Sequence, residues 1–303
     1  MREVRIPAYA KVNLRLDVLG KRADGFHELR TIFHTVSLHD TLTLRASRKP
    51  GISLTIQGNP ALSQEAVEKN LVYRAVEALR SDLKLTSGVE LTLQKKIPAG
   101  RGLGGGSSDA AAALLGCLQL TRKKISKPRL IEIAASLGAD VPFFLFGGRA
   151  LGIGKGEEIY PLPEIPKRSV LIISPSDIHV PTPDAYRWLQ APELTSLTNF
   201  DQAHKLYEFC ALCWSTQGEC LSNDFEQAVF QRHPRLGDIK RALLQRGASE
   251  ALLAGSGSAV FGIFPGPAKA RRAAVGFPHD QAFVCETLSR HRYARLTRDA
   301  LIV

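Results

Sequence analysis

The sequence predicts an α+β protein of two domains, and three observations carry that prediction. Strand-like alternation dominates the chain up to Gly58. Beyond it, strands and helices intermix without the regular βαβ rhythm of a parallel sheet. A stretch punctuated by Gly and Pro then divides the chain near residues 161–167. At 303 residues there is length for two ordinary cores, with the expected division at 1–160 and 161–303.

Each element has its own warrant. RIPAYAKVNLRLDVLG alternates around Val12, Leu14, Leu16 and Val18 and reads as a strand that turns at Asp24-Gly25. TIFHTVSL, DTLTLRA and GISLTIQG follow as further strands, each β-branched or alternating. Leu71, Val72, Ala75, Val76 and Leu79 recur at helical spacing, which predicts a helix from about Glu65 to Arg80. Val89, Leu91 and Leu93 alternate with Glu90, Thr92 and Gln94 in a half-buried strand that ends at Pro98. SSDAAAALLGCLQL consists of strong helix formers, and PRLIEIAASLG predicts a shorter helix before Ala139-Asp140. Val141 to Phe146 is a buried strand or helix segment. GGRALGIGKGEEIYPLPEIPKRS reads as a hairpin running into a linker, and SVLIISP as a buried strand. Residues 183–189 and 225–230 read as helices, and ASEALLAGSGSAVFGIF as two strands about a Gly/Ser turn.

Composition narrows the class. Hydrophobic residues make up 44% and charged ones 23%, as in globular proteins. No apolar run approaches the ~20 residues that cross a bilayer. MREVRIPAYAKVNLRLD lacks the apolar stretch of a secretory signal, so a cytoplasmic location without membrane partners is expected. The formal net charge of +11 favours anionic partners. Its basic clusters, at Arg122, Lys123 and Lys124 and at Arg290, Arg292 and Arg295, lack interleaved aromatics. Small phosphorylated molecules are therefore expected rather than nucleic acid. Five cysteines point to reduced thiols. Cys210 and Cys213 form a C-x-x-C, with Cys220 and His204 nearby. HKLYEFCALCW nevertheless reads as an amphipathic helix with no second such pair, so core packing is expected and no metal site.

The strongest chemical signal is PAGRGLGGGSS: Pro98, Ala99, Gly100, Arg101, Gly102, Leu103, Gly104, Gly105, Gly106, Ser107 and Ser108. It lies between a strand and a helix. Glycines let the backbone turn its N–H groups inward, and the helix adds unpaired amides and the positive end of its dipole. Ser107 and Ser108 are placed to cap that helix and to offer hydroxyls to a phosphate or its metal ion. A Walker A loop requires lysine where Gly106 stands. Gly100, Gly102 and Gly105 match a Rossmann spacing, but no ribose-binding acid follows about 20 residues on.

The loop is similar to the ATP-binding motif of the GHMP kinases, the superfamily of galacto-, homoserine, mevalonate and phosphomevalonate kinases. AYAKVNLRLDVLGKRADGFHEL and ALLAGSGSAVFGIF occupy the places of its N-terminal and C-terminal motifs, so the resemblance spans almost the whole chain. It implies a two-domain fold with the active site in the cleft between domains, ATP as phosphoryl donor, and Mg²⁺ accompanying the ATP. Ala10 to Leu14, Arg22 to His27, Gly138 to Pro142, Pro181 to Pro183 and Ser222 to Phe225 resemble the branch whose acceptor is a diphosphocytidyl sugar alcohol.

Site residues follow from that resemblance. Asp140, a carboxylate between a helix end and an apolar run, suits the acceptor of a hydroxyl proton. Lys11 lies mid-strand among apolar residues, where an unpaired charge is costly, and the family pattern pairs it with Asp140. Asn13 is expected near the acceptor hydroxyl. Phe26, where the family usually has tyrosine, and Tyr186, after Thr182 and Pro183, are expected to stack on the base, with His27 at its edge. Asn70, Lys95 and Lys96 match positions lining the nucleotide pocket. Two alternatives are compatible with the same residues. One is a GHMP kinase with a sugar, homoserine or mevalonate-type acceptor. The other is a non-catalytic nucleotide- or RNA-binding protein, since the superfamily's N-terminal domain resembles a ribosomal-protein domain.

Overall fold

The long alternating stretches at the N-terminus form one hairpin. In the computed structural model, which describes residues 2–194 and 221–297, β1 (Glu3–Lys21) runs antiparallel to β2 (His27–Ser47). TIFHTVSL and DTLTLRA, expected as separate strands, are therefore one. His39-Asp40 makes no turn, because the Asp40 carboxylate is fully buried and bonded to the chain after β4 (Gly88–Gln94). β3 (Ile52–Gln57) pairs in parallel with β4, which pairs with the C-terminal half of β2. The N-terminal half of β2 pairs instead with β5 (Arg149–Gly154), and β6 (Glu158–Pro161) follows on β5. A two-residue β8 (Ser222–Asn223) returns to lie parallel to β1 and completes the first sheet.

Helices cover this sheet. After the single turn α1 (Pro60–Ser63), α2 (Leu71–Asp82) buries Val72, Ala75, Val76 and Leu79, the positions its periodicity marks. The expected start at Glu65 is displaced. Val67–Lys69 is a 3₁₀ turn, Asn70 is extended, and its Oδ1 accepts the Val72 N–H at 2.9 Å as the helix cap. α3 (Gly105–Thr121) is buried on nearly all sides, as an Ala/Leu helix without a polar face must be. α4 (Lys127–Leu137) packs beside it, and VPFFLF contributes only the short α5 (Phe143–Phe146).

The second sheet has the order β11 (Gln281–Glu286), β7 (Ser169–Ser174), β10 (Val260–Phe264), β9 (Glu250–Leu253), all antiparallel. The expected pair of strands about a Gly/Ser turn is β9 and β10. α6 (Thr182–Leu189), α7 (Phe225–Arg232), α8 (Pro234–Gln245) and α9 (Pro267–Ala274) pack with it. α10 (Arg290–Thr297) leaves that sheet and docks on the first unit. There Tyr293 donates its hydroxyl to Phe144 O at 2.6 Å, and Gln119 donates to Thr297 O at 2.9 Å. The sequence reading did not anticipate α8, α9, β11 or α10.

β1 joins the two units. Ala10, Val12 and Leu14 enter an apolar cluster with Val170, Ile172, Leu252 and Phe261 of the second sheet. The alternate positions Lys11 and Asn13 face the opening between the units. Register shifts between Tyr9 and Lys11 and between Asn13 and Arg15 mark irregularities that re-aim side chains at this point. Cys210, Cys213, Cys220 and His204 lie outside the described residues. Cys117 and Cys285 are free and buried, and burial pushes their thiols up to about 11 and about 12. No helix among the described residues is long and apolar enough to cross a membrane.

α3 lies so close to β2 that a Cβ on Gly116 would stand 2.4 Å from Leu44 Cδ1, and Leu44 is fully buried. Gly116→Ala is expected to lose about 1–3 kcal/mol, although alanine is the better helix former. Urea unfolding should show a lower midpoint at unchanged slope.

Candidate active site

The glycine loop is held by close approach on two sides. Gly100, Gly102 and Gly104 have φ of 65°, 77° and 69°, the left-handed region that side chains resist. A Cβ on Gly102 would fall 1.8 Å from Ala254 O, in the turn between β9 and β10. A Cβ on Gly104 would fall 2.9 Å from the Phe144 ring and 3.0 Å from Lys11 Cγ. Arg101 donates to Ser258 Oγ at 2.6 Å, and Ser258 Oγ donates to Ile178 O at 2.7 Å, tying the loop to the second unit.

Gly104 is the left-handed N-cap of α3, and no side chain caps the helix. The first amides of α3 therefore face the cleft for an anion to use. This corrects the expectation for the two serines. Both lie inside the first turn, where Ser107 lines the cleft and Ser108 is buried beneath it with its hydroxyl unpartnered among the described residues. Gly106 is informative in another way. It is helical, and a Cβ there would find one atom within 4 Å, Leu71 Cδ1 at 3.8 Å. Neither backbone angle nor packing calls for glycine at this position, so the open space in front of it fits a ligand such as the triphosphate of ATP.

Lys11 lies at the base of the cleft with 4% exposure. Its Nζ donates to Asn13 Oδ1 at 2.7 Å and stands 3.4 Å from Asp140 Oδ2, with the Phe33 ring centroid at 5.3 Å. Asn13 Nδ2 donates to Thr31 Oγ1 at 2.7 Å, and that hydroxyl donates to Arg15 O at 2.8 Å. This chain orients the Asn13 carbonyl toward the ammonium. The expected Lys11–Asp140 pair is present, with Asn13 as the nearer partner. The Asp140 carboxylate, 33% exposed, reaches into the cleft.

Aromatic groups gather at the far end. The turn between β1 and β2 is fixed by Arg22, which donates to Glu28 Oε2 at 2.6 Å, and leaves Phe26 57% exposed at its tip. Lys155 Nζ sits 4.7 Å from the Phe26 ring centroid. His27 stacks on Tyr186 at 4.4 Å and 22°, and Tyr186 meets Phe225 edge-on at 4.9 Å. Burial, with Lys21 nearby, lowers the His27 pKa and favours the neutral imidazole. Burial, reinforced by Asp140, raises that of Tyr186. Thr182 and Ser256 hydroxyls are 3.0 Å apart, and Pro183 lines the same wall. The Ser222–Phe225 segment is mainly a tie. Asn223 donates to Leu253 O and Gly255 O, both at 2.8 Å, and Asp224 accepts the Val18 N–H at 2.8 Å.

A single cleft of about 1130 Å³ runs from Asn70 and the glycine loop past Lys11 and Asp140 to Phe26, His27 and Tyr186. That exceeds the ~300–1,000 Å³ typical of one bound small molecule. Pro98 to Ser107 line it, but Lys96 is exposed outside it. Lys95 reaches the cleft wall from an ion network, where its Nζ lies 2.5 Å from Asp40 Oδ2 and 2.6 Å from Asp109 Oδ2. Burial pushes the Asp109 carboxyl up to about 8, and the two carboxylates raise Lys95 against the burial that would lower it. The sequence reading missed Asp40, Asp109, Lys21 and Lys155. Lys155 had a visible signal, a lysine between two glycines at a hairpin tip.

Residues 70–148 match the family model described as GHMP kinases N terminal domain, and residues 206–279 match that described as GHMP kinases C terminal. The chain belongs to the GHMP kinases. It is 45% identical to a 4-diphosphocytidyl-2-C-methyl-D-erythritol kinase of Solibacter usitatus, over 99% of this chain and 93% of that one. Identity to the kinase of the same name from Citrifermentans bemidjiense is 42%, over 91% and 94%. A crystal structure of 4-(cytidine 5'-diphospho)-2C-methyl-D-erythritol kinase superposes with a TM-score of 0.76 at 34% identity, covering 94% of this chain and 99% of that one. A homoserine kinase from Cytophaga hutchinsonii shares the fold, with a TM-score of 0.73 at 22% identity over 95% of each chain. GHMP kinases use ATP, and the expected two-domain α+β fold of this family is the one observed.

For this GHMP kinase, Gly106→Ala should leave the melting temperature unchanged or slightly higher, because alanine favours the helix by about 0.5–1 kcal/mol. The KM for ATP should rise roughly tenfold, equivalent to about 1.4 kcal/mol. A lower melting temperature with unchanged KM would place the glycine among the structural ones.

Proposed function

We propose that this GHMP kinase transfers the γ-phosphoryl group of ATP to the 2-hydroxyl of the methylerythritol portion of 4-diphosphocytidyl-2-C-methyl-D-erythritol. This reaction serves non-mevalonate isoprenoid precursor biosynthesis. One observation carries the reading beyond the relatives' names. The Lys11–Asp140 pair stands midway along one cleft, with the glycine loop at one side and the Phe26, His27 and Tyr186 rings at the other.

The chemistry distributes as follows. The open amides of α3 and the loop hold the triphosphate, and Lys11 neutralises charge on the transferring group. Asp140 takes the proton of the acceptor hydroxyl as its oxygen bonds to the γ-phosphorus, while the bond from that phosphorus to the β–γ bridging oxygen breaks and ADP departs. Among the described residues no three His, Cys, Asp or Glu side chains form a metal cluster. A Mg²⁺ accompanying ATP would be held by the Ser107 hydroxyl or the Asp140 carboxylate, both lining the cleft, and would supply charge neutralisation on the triphosphate. Asn13 and Thr31 fix Lys11, so the cation is placed before substrate arrives.

The cytosine end is met by the Phe26 ring and by a neutral His27, which offers one donor and one acceptor. Tyr186 is stacked by His27 and crossed by the perpendicular Phe225 ring, whereas Phe26 is 57% exposed, so Phe26 is the more available stacking surface. A sugar, homoserine or mevalonate-type acceptor would leave this end without a use. The partners are thus two small molecules, and the setting is the cytoplasm, where ATP is supplied.

ADP release measured across a panel of acceptors tests the reading, with rapid turnover expected for the diphosphocytidyl alcohol alone. Asp140→Asn should lower turnover by roughly 10²–10⁴ while ATP binding stays within about twofold. Near-normal turnover would remove Asp140 from its role. Phe26→Ala should raise KM for the cytidylyl substrate about tenfold with little change for ATP. A dominant effect on ATP would assign the turn to the other pocket.

A further inference from the structure

Asp40, Lys95 and Asp109 are three buried ionisable groups, with the Lys95 ammonium 2.5 Å from Asp40 Oδ2 and 2.6 Å from Asp109 Oδ2. Buried ion networks of this kind contribute little more to stability than apolar side chains of the same volume. Their placement is more telling than their energy. Asp40 Oδ1 accepts the amides of Lys96 and, at 2.8 Å, of Ile97, the last residues before the glycine loop. Its Oδ2 accepts from Lys95 Nζ, which also donates to Asp109 in α3, just past the loop's other end. The ammonium lies beneath the first residue of α3, since a Cβ on Gly105 would stand 3.4 Å from it. Asp40 itself is fully buried and is not part of the cleft wall.

We infer that Asp40 is a positioning residue for the nucleotide: through Lys95 and Asp109 it fixes the span between the two ends of the glycine loop, and so the aim of the amides that receive the triphosphate. The inference rests on the ATP site assigned above. Lys95 is then spent on the clamp and is not a free cation for phosphate. Asp109 Oδ1, unpartnered among the described residues, belongs to the same clamp.

Asp40→Asn separates the possibilities. Asparagine keeps an oxygen for the two backbone amides but turns an amide donor against the Lys95 ammonium. The KM for ATP should rise roughly tenfold, with kcat within about threefold and the acceptor's KM unchanged. Were Lys95 a direct phosphate ligand, releasing it from Asp40 would leave the KM for ATP unchanged or lower it, and the inference would fail. The double variant Asp40→Asn with Lys95→Met removes the unpaired ammonium. Its melting temperature should recover while the KM for ATP stays high. Recovery of both together would reduce the network to a purely structural role and overturn the inference. Calorimetric titration of the unaltered protein with ATP anchors the series. Absence of binding there would overturn the ATP site itself, and the clamp with it.

Discussion

A lysine ammonium at the bottom of a cleft, almost out of reach of water, is the constraint on which the rest of the arrangement depends. Such a charge is costly unless its hydrogens find oxygen. Here the oxygens come from a neighbour on the same strand, Asn13, and from Asp140 after α4. Asn13 holds its orientation through Thr31 across the hairpin. The Lys11 stem in turn limits what can pass above it, which is why Gly104 has no side chain. One desolvated cation thus fixes the hairpin register, the end of α4 and the height of the glycine loop over the strand.

The two units are joined by small contacts that admit no substitute. The loop touches the second unit backbone to backbone, Gly102 against Ala254, and Arg101 reaches over to Ser258. From the other side, Asn223 and Asp224 bind the turn at Leu253 to Gly255 and the strand at Val18. The glycine-loop end and the aromatic end of the cleft therefore share walls. The carbonyl that the loop rests on lies in the same turn as Ser256, which faces Thr182. Such sharing favours transfer between bound molecules, because reacting groups are aligned by the same backbone.

Much of this was legible in the residues. Alternation in β1, periodicity in α2 and the glycine loop are local patterns, and local patterns survive into the fold. The failures also have physical causes. Lys95 reads as a pocket-lining residue and not as the centre of an ion network, because its partner Asp40 is 55 residues earlier and nothing local announces the pair. Ser107 and Ser108 read as caps because serine prefers that place, yet a left-handed glycine opens the helix instead and leaves the amides free. RHRYARLT carries too few apolar residues for periodicity to reveal α10, which is anchored chiefly by Tyr293.

That last helix bears on how the chain comes into being. Tyr293 fits against Gly147 so tightly that a Cβ there would be 2.2 Å from its ring, and Arg290 covers Gly148 in the same way. Its hydroxyl binds the short helix that follows Asp140 and supports Gly104 through Phe144. Domains usually fold in the order in which they leave the ribosome. Here the first unit is completed by a side chain 149 residues downstream of the Phe144 carbonyl it binds. A nascent chain halted after β11 would have both sheets and the glycine loop, and still lack the wedge that braces the short helix after Asp140.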